Sequence, residues 1–93
     1  MAANQQEKKL ANIEKQALHH RLDAAISKQV LLGLGQPEGL HLVQVRFLWE
    51  DHYRVNVFVG VDAASAKVAH SYFLVADGAG KILASTPKIM SRY

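Results

Sequence analysis

Hydrophobic and polar residues alternate through the middle of the chain, from Leu40 to Val61. Outside residues 50–52, the odd-numbered positions from Val43 onward carry β-branched or aromatic side chains, whereas the even-numbered positions mix apolar residues with Arg, Asn and Gln. Alternation with a period of two is typical of β-strands that bury one face. Two such runs, residues 40–49 and 53–61, flank the polar residues 50–52, so the pattern predicts a β-hairpin with its odd-numbered face in the core.

The register of this hairpin can be inferred because directly opposed residues in an antiparallel pair share a face. A two-residue turn would place Phe47 opposite Arg54 and bury an unpaired guanidinium. A loop of three residues, or of five, instead places Phe47 opposite Val55. We therefore predict an odd loop length, with Trp49 opposite Tyr53 on the core face.

The segments on either side of the hairpin predict one helix and two further strands. Before the hairpin, apolar residues recur at spacings of three and four, which predicts one long helix over about residues 5–32 that stops at Gly33. After it, we expect strands over about residues 68–76 and 81–85, joined by the turn Asp77-Gly-Ala-Gly80. The fold class predicted is α+β, with one long N-terminal helix packed on a four-stranded antiparallel β-meander in the order α-β-β-β-β.

The sequence also predicts the extent of the domain and the state of its ends, but it does not decide which face of the third strand is buried. The chain of 93 residues allows one domain with one modest core, over residues 1–93. We expect residues 1–4 and 88–93 to be frayed. In the third strand, the alternation does not decide which set of apolar residues faces the core: Val68, Tyr72 and Leu74, or Phe73 and Val75.

Three features resemble the layout of PepSY-type domains and, more distantly, of cystatin-type folds. They are the segment Trp49-Glu-Asp-His-Tyr-Arg54, an aspartate after the second strand, and the segment Ala76-Asp-Gly-Ala-Gly-Lys-Ile-Leu83, all of which follow a long helix. The resemblance is one of architecture, and it implies a helix packed against an antiparallel sheet.

Composition narrows the class of protein further. The chain has no cysteine, which excludes disulfides and thiolate metal sites. It has no apolar run long enough to span a bilayer and no apolar leader, so we expect a soluble, cytoplasmic protein. The formal net charge of +3 is too small to indicate nucleic-acid binding by itself.

Histidines and carboxylates come close together at two places in the sequence. His19 and Asp23 have the i, i+4 spacing of one helix face, and Glu50, Asp51 and His52 form the predicted hairpin tip. A solvated helix face and a solvated turn are the ordinary interpretations of such groups. We therefore predict a non-enzymatic protein with no catalytic residues, no cofactor and no metal site.

The even-numbered face of the predicted hairpin is the candidate site. Apolar side chains on an otherwise polar sheet face are typical of an interaction surface. We predict a homodimer or another protein partner, with no membrane partner. Two alternatives stay open: a nucleic-acid-binding module that uses both arginines and the phenylalanine of this face, and small-ligand binding or a minor enzymatic activity at a His/carboxylate site. The predicted partner-binding residues are Leu42, Arg46, Leu48, Arg54 and Phe58.

Overall fold

The computed structural model describes residues 21–93 and shows one helix followed by a four-stranded antiparallel sheet, which confirms the predicted fold class. The strands are hydrogen-bonded in chain order, so the sheet is a meander. The described part of the helix α1 covers residues 21–34. The strands are β1 (Leu40–Trp49), β2 (His52–Val59), β3 (Lys67–Ala76) and β4 (Ile82–Thr86). The predicted helix before residue 21 and the fraying predicted for residues 1–4 lie outside the described residues.

The core lies between α1 and one face of the sheet. α1 contributes a stripe of apolar residues with a spacing of four, as one face of a helix requires. The two central strands contribute alternate residues, as one face of a sheet requires. The buried core residues are Leu22, Ile26, Val30 and Leu34 of α1, Tyr53, Val55 and Val57 of β2, and Tyr72, Leu74 and Ala76 of β3.

The face of β3 that the sequence left open is now decided. Tyr72 and Leu74 are buried under α1, whereas Phe73 lies opposite Arg54 on the other side of the sheet. Val68 does not follow Tyr72, because the β2–β3 register shifts by one residue near Val68 and places it on the same side as Phe73.

The turn between β1 and β2 is shorter than predicted. Only residues 50 and 51 separate the two strands, and Glu50 adopts the left-handed conformation, with φ 45°. The predicted odd loop length is therefore wrong. The predicted pairs are displaced by two residues, since Val45 rather than Phe47 lies opposite Val55.

A β-bulge at Leu48 allows this short turn to coexist with an odd-numbered face that points toward the core, on which Phe47 near the turn remains 43% exposed. Phe47 lies opposite Tyr53, but one step nearer the turn Trp49 lies opposite His52. The extra residue reverses the side on which the next residue points, so Trp49 leaves the core face. The predicted pairing of Trp49 with Tyr53 is wrong for this reason.

α1 ends two residues later than predicted. The helix runs to Leu34, and Gly35 follows with φ 86° and donates its N–H to the Leu31 carbonyl over 2.8 Å. This is the arrangement of a left-handed C-terminal cap. Gly33 instead lies inside the helix, where a β-carbon would come within 2.8 Å of Cγ2 of Ile89. Close packing, rather than helix termination, accounts for Gly33.

The segment after β4 contacts α1 through its backbone, and the fraying predicted for residues 88–93 stays a prediction. The N–H groups of Arg92 and Tyr93 donate to the Leu34 carbonyl over 2.8 and 3.3 Å. The Tyr93 hydroxyl lies 2.8 Å from Nε2 of His70 on β3. The tail therefore satisfies a carbonyl at the end of the helix and links the helix to the sheet. Among residues 21–93, no helix is long and apolar enough to cross a membrane.

Candidate interface on the outer sheet face

The outer face of the sheet is the face that points away from α1. On β2 it carries the even-numbered residues, because the odd-numbered ones are buried under the helix. No aspartate or glutamate is among the outward positions of β1, β2 and β3. These positions are Leu42, Gln44, Arg46 and Trp49 on β1, His52, Arg54, Asn56 and Phe58 on β2, and Val68, Ser71, Phe73 and Val75 on β3.

One end of the outer face is an aromatic cluster formed by Trp49, His52 and Phe73. The indole stacks on the imidazole, with ring centroids 4.8 Å apart and planes 17° apart. The Phe73 ring lies 5.8 Å from both. Trp49 remains 52% exposed, so the cluster is well placed to stack on or bury part of a ligand.

The other end of the outer face is aliphatic. Leu42 lies opposite Phe58, and Phe58 lies opposite Val68 on the next strand. Leu42 and Val68 are 50% and 49% exposed, and Phe58 is half-buried. Directly opposed side chains on one sheet face are in contact range, so these three form one continuous apolar patch.

A ladder of polar side chains crosses the sheet between the two ends. Asn56 donates from Nδ2 to Oε1 of Gln44 over 3.3 Å and accepts at Oδ1 from the Ser71 hydroxyl over 2.8 Å. Arg54 donates from Nη1 to the same hydroxyl over 3.4 Å. These amides therefore satisfy one another, and the ladder holds the arginine against the sheet.

Arg46 and Arg54 lie directly opposite each other on β1 and β2, and both are exposed. Like charges at opposed positions of a sheet destabilise each other. An anion that contacts both guanidinium groups would relieve this repulsion, and guanidinium binds carboxylate and phosphate groups in a bidentate geometry. The centre of the outer face is therefore suited to a negatively charged group.

Of the predicted partner-binding residues, four lie on the outer face: Leu42, Arg46, Arg54 and Phe58. Leu48 is the extra residue of the bulge and is half-buried. The aromatic cluster was not predicted, because the alternation in the sequence places Trp49 on the core face. The sequence does contain a signal for it. Glu50 and Asp51 are suited to a two-residue turn, but with unbroken alternation that turn would place Arg54 opposite Phe47 on the core face. A bulge removes this conflict.

Of the two His/carboxylate groups of the sequence, only the one at the hairpin tip, residues 50–52, lies wholly within the described residues. Glu50 and Asp51 are exposed in the turn, whereas the His52 ring stacks on Trp49. The partner predicted for Asp23 lies before residue 21, outside the described residues. Within residues 21–93, no group of three or more histidine and carboxylate side chains could hold a metal ion.

Comparison with protein-family models, with curated proteins and with solved structures found no match for this chain. The resemblance to PepSY-type domains therefore remains one of layout.

Proposed function

We propose that this protein is a non-enzymatic, cytoplasmic binding module that holds an acidic segment of another protein on its outer face. One observation carries the proposal: two opposed arginines lie between an aromatic and an aliphatic end, on a sheet face where none of the described outward side chains is a carboxylate. Charge complementarity thus favours a partner that alternates acidic and apolar side chains.

The residue types of the outer face suit tight contact. Trp and Arg are the side chains that most often dominate binding energy at protein interfaces. Trp49 would bury its exposed half against the partner, and Arg54, which donates one hydrogen bond of 3.4 Å to Ser71, would bind a carboxylate with its other N–H groups.

A second copy of this chain is a less favourable occupant of the same face. An isologous contact places the same patch of both subunits together. Arg46 and Arg54 of one copy would then face those of the other, and none of the described strand residues on either outer face is a carboxylate that could neutralise them. The predicted homodimer would need a different surface or an offset contact.

A second candidate function is the binding of single-stranded nucleic acid. The observation in its favour is the cluster of Trp49, His52 and Phe73 beside two arginines. Sheet faces with aromatic rings and cations bind single strands by base stacking, at about 1–3 kcal/mol per base, and by phosphate contacts. The formal net charge of +3 makes this candidate the weaker one.

Trp49 is the only tryptophan of the chain, so its fluorescence reports on the outer face directly. The probe is a short peptide of alternating glutamate and leucine, compared with its glutamine counterpart. We expect saturable binding of the acidic peptide and binding at least about tenfold weaker, or 1.4 kcal/mol, for the neutral one. Equal affinity for both peptides would contradict the proposal.

Arg54→Gln should weaken binding of the acidic peptide by a similar factor. The matched control is Arg21→Gln, which removes the same charge from an exposed position of α1. An equal effect of the two substitutions would mean that only net charge matters, and the outer face would lose its support.

The same titration separates the other occupants. Tighter binding of oligothymidylate than of the peptide, with a steep dependence on salt, would favour the nucleic-acid candidate. A dimer in light scattering that dissociates on Phe58→Asp would instead assign the face to a second copy of the chain.

A further inference from the structure

A second surface lies around the sheet edge from the outer face, between the first half of β3 and the tail that follows β4. β4 pairs with β3 only from Phe73 to Ala76, so the edge of β3 before Phe73 has no strand partner among the described residues. The tail runs beside this edge and leaves a cleft of about 320 Å³, lined by residues 69–72 and by Pro87, Lys88, Met90 and Arg92.

The walls of this cleft are held by specific contacts. Nε2 of His70 is hydrogen-bonded to the Tyr93 hydroxyl over 2.8 Å, and the planes of the two rings meet edge to face at 86°. The His70 and Tyr72 rings are nearly parallel, with planes 10° apart. The backbone of the tail is bonded to the Leu34 carbonyl. The cleft is therefore formed before any ligand binds, which lowers the entropic cost of binding.

The lining of the cleft has the chemistry of an anion site with an apolar side. Lys88 and Arg92 bring two cations, and none of the lining side chains is a carboxylate. Burial raises the pKa of Tyr72, and the positive charge of Arg92 opposes that rise. The charge of Arg92 therefore acts on a residue that lines the cleft. The unpaired edge of β3 adds backbone N–H groups, which are donors suited to anions. Met90 is exposed and offers an apolar surface.

We propose that this cleft binds a small organic anion, made of an apolar body and one carboxylate or phosphate group. Arg92 and Lys88 contact the anionic group, the apolar body lies against Met90, and the bonded pair of His70 and Tyr93 forms a rigid wall. A cleft of this volume is at the small end of ligand sites in proteins. The proposal does not depend on the function of the outer face.

The test uses the whole chain and follows the resonances of the His70 ring and the Met90 methyl group by NMR. The probes are phenyl phosphate and benzoate, with benzyl alcohol as the neutral analogue and inorganic phosphate as the anion without a body. We expect saturable shifts with at least one aryl anion, and binding at least about tenfold weaker for benzyl alcohol and for inorganic phosphate. The stronger of the two aryl anions identifies the anionic group.

Variants assign the binding to the cleft. Arg92→Gln and Lys88→Gln should each weaken binding of the aryl anion by about tenfold. The hydrogen bond from Arg92 to the Leu34 carbonyl is retained in the first variant because it uses the main-chain N–H. Arg21→Gln on α1 is the matched control and should leave binding unchanged. Binding of benzyl alcohol as tight as that of the aryl anions, or no difference between these variants and the control, would overturn the proposal.

Discussion

Leu48 is the residue that decides on which face of the sheet Trp49 lies. Without the extra residue, strict alternation would place Trp49 beside Phe47 and Tyr53 on the core side. With it, Trp49 stacks on His52 in the open. Because side chains alternate with a period of two, one inserted residue moves everything between it and the turn to the other face.

Gly35 offers a test at the scale of one residue. Its φ is 86°, and a β-carbon there would lie 2.6 Å from the Tyr93 carbonyl oxygen. Gly39 has a similar φ of 74° but open space around it. Both alanine variants should lose about 1–2 kcal/mol through left-handed strain. We expect Gly35→Ala to lose about 1–3 kcal/mol more, because it also displaces the tail.

Urea unfolding of both variants measures these losses. Equal losses for Gly35→Ala and Gly39→Ala would show that the tail does not pack on Gly35 in solution, and the cleft proposed beside the tail would lose one of its walls.

At the scale of elements, Gln29 joins α1 to the turn between β3 and β4. Its Nε2 donates to the Gly80 carbonyl over 2.6 Å and to the Ala25 carbonyl over 3.0 Å, while its Oε1 accepts from the Ile82 N–H over 3.0 Å. One amide thus satisfies a donor and an acceptor of the sheet at once. Gly80 lies close enough to α1 that its β-carbon would be 3.0 Å from Cβ of Ala25.

Gln29→Glu tests this contact with almost no change of shape. The carboxylate can still accept from Ile82, but it cannot donate to the Gly80 carbonyl, which is then left facing a negative charge. We expect a loss of about 1–3 kcal/mol in the free energy of unfolding. Gln36→Glu is the matched control, because Gln36 is exposed in the loop after α1. Similar stability of the two variants in denaturant titrations would contradict the bridging role of Gln29.

At the scale of the whole molecule, two buried tyrosines make stability depend on alkaline pH. Burial raises the pKa of Tyr53 above the ordinary value of 10.0, and the nearby charges of Asp23 and Asp51 raise it further. Burial likewise raises the pKa of Tyr72. The folded protein therefore holds these protons at a pH where the unfolded chain has released them.

The sign of this linkage predicts alkaline destabilisation. The stabilising contribution is complete below the unfolded pKa near 10 and is lost as pH rises through the folded pKa. Urea midpoints measured between about pH 9 and 11 should fall, and they should fall less steeply for Tyr53→Phe. A wild-type midpoint that stays constant over this range, or an unchanged slope in the variant, would contradict the prediction. The stability of the variant at neutral pH separates any lost contact from the titration.

Within residues 21–93, two cationic surfaces differ in shape. The outer face pairs two arginines with extended apolar ends, whereas the cleft beside the tail encloses its cations in a small volume. The first is suited to a chain segment and the second to a small molecule, because contact area and enclosure differ.

The sequence by itself determined the order of one helix and four strands, the alternation that buries Val55 and Val57, and the absence of cysteine chemistry. The elements and the buried positions follow from the local periodicity of hydrophobic residues, whereas the absence of cysteine chemistry follows from composition. The tertiary structure alone decided the bulge at Leu48, the helix end at Gly35 and the packing of the tail on α1. Each of these depends on contacts between residues far apart in the chain, and their free energies are set by packing and hydrogen bonds that local patterns do not contain.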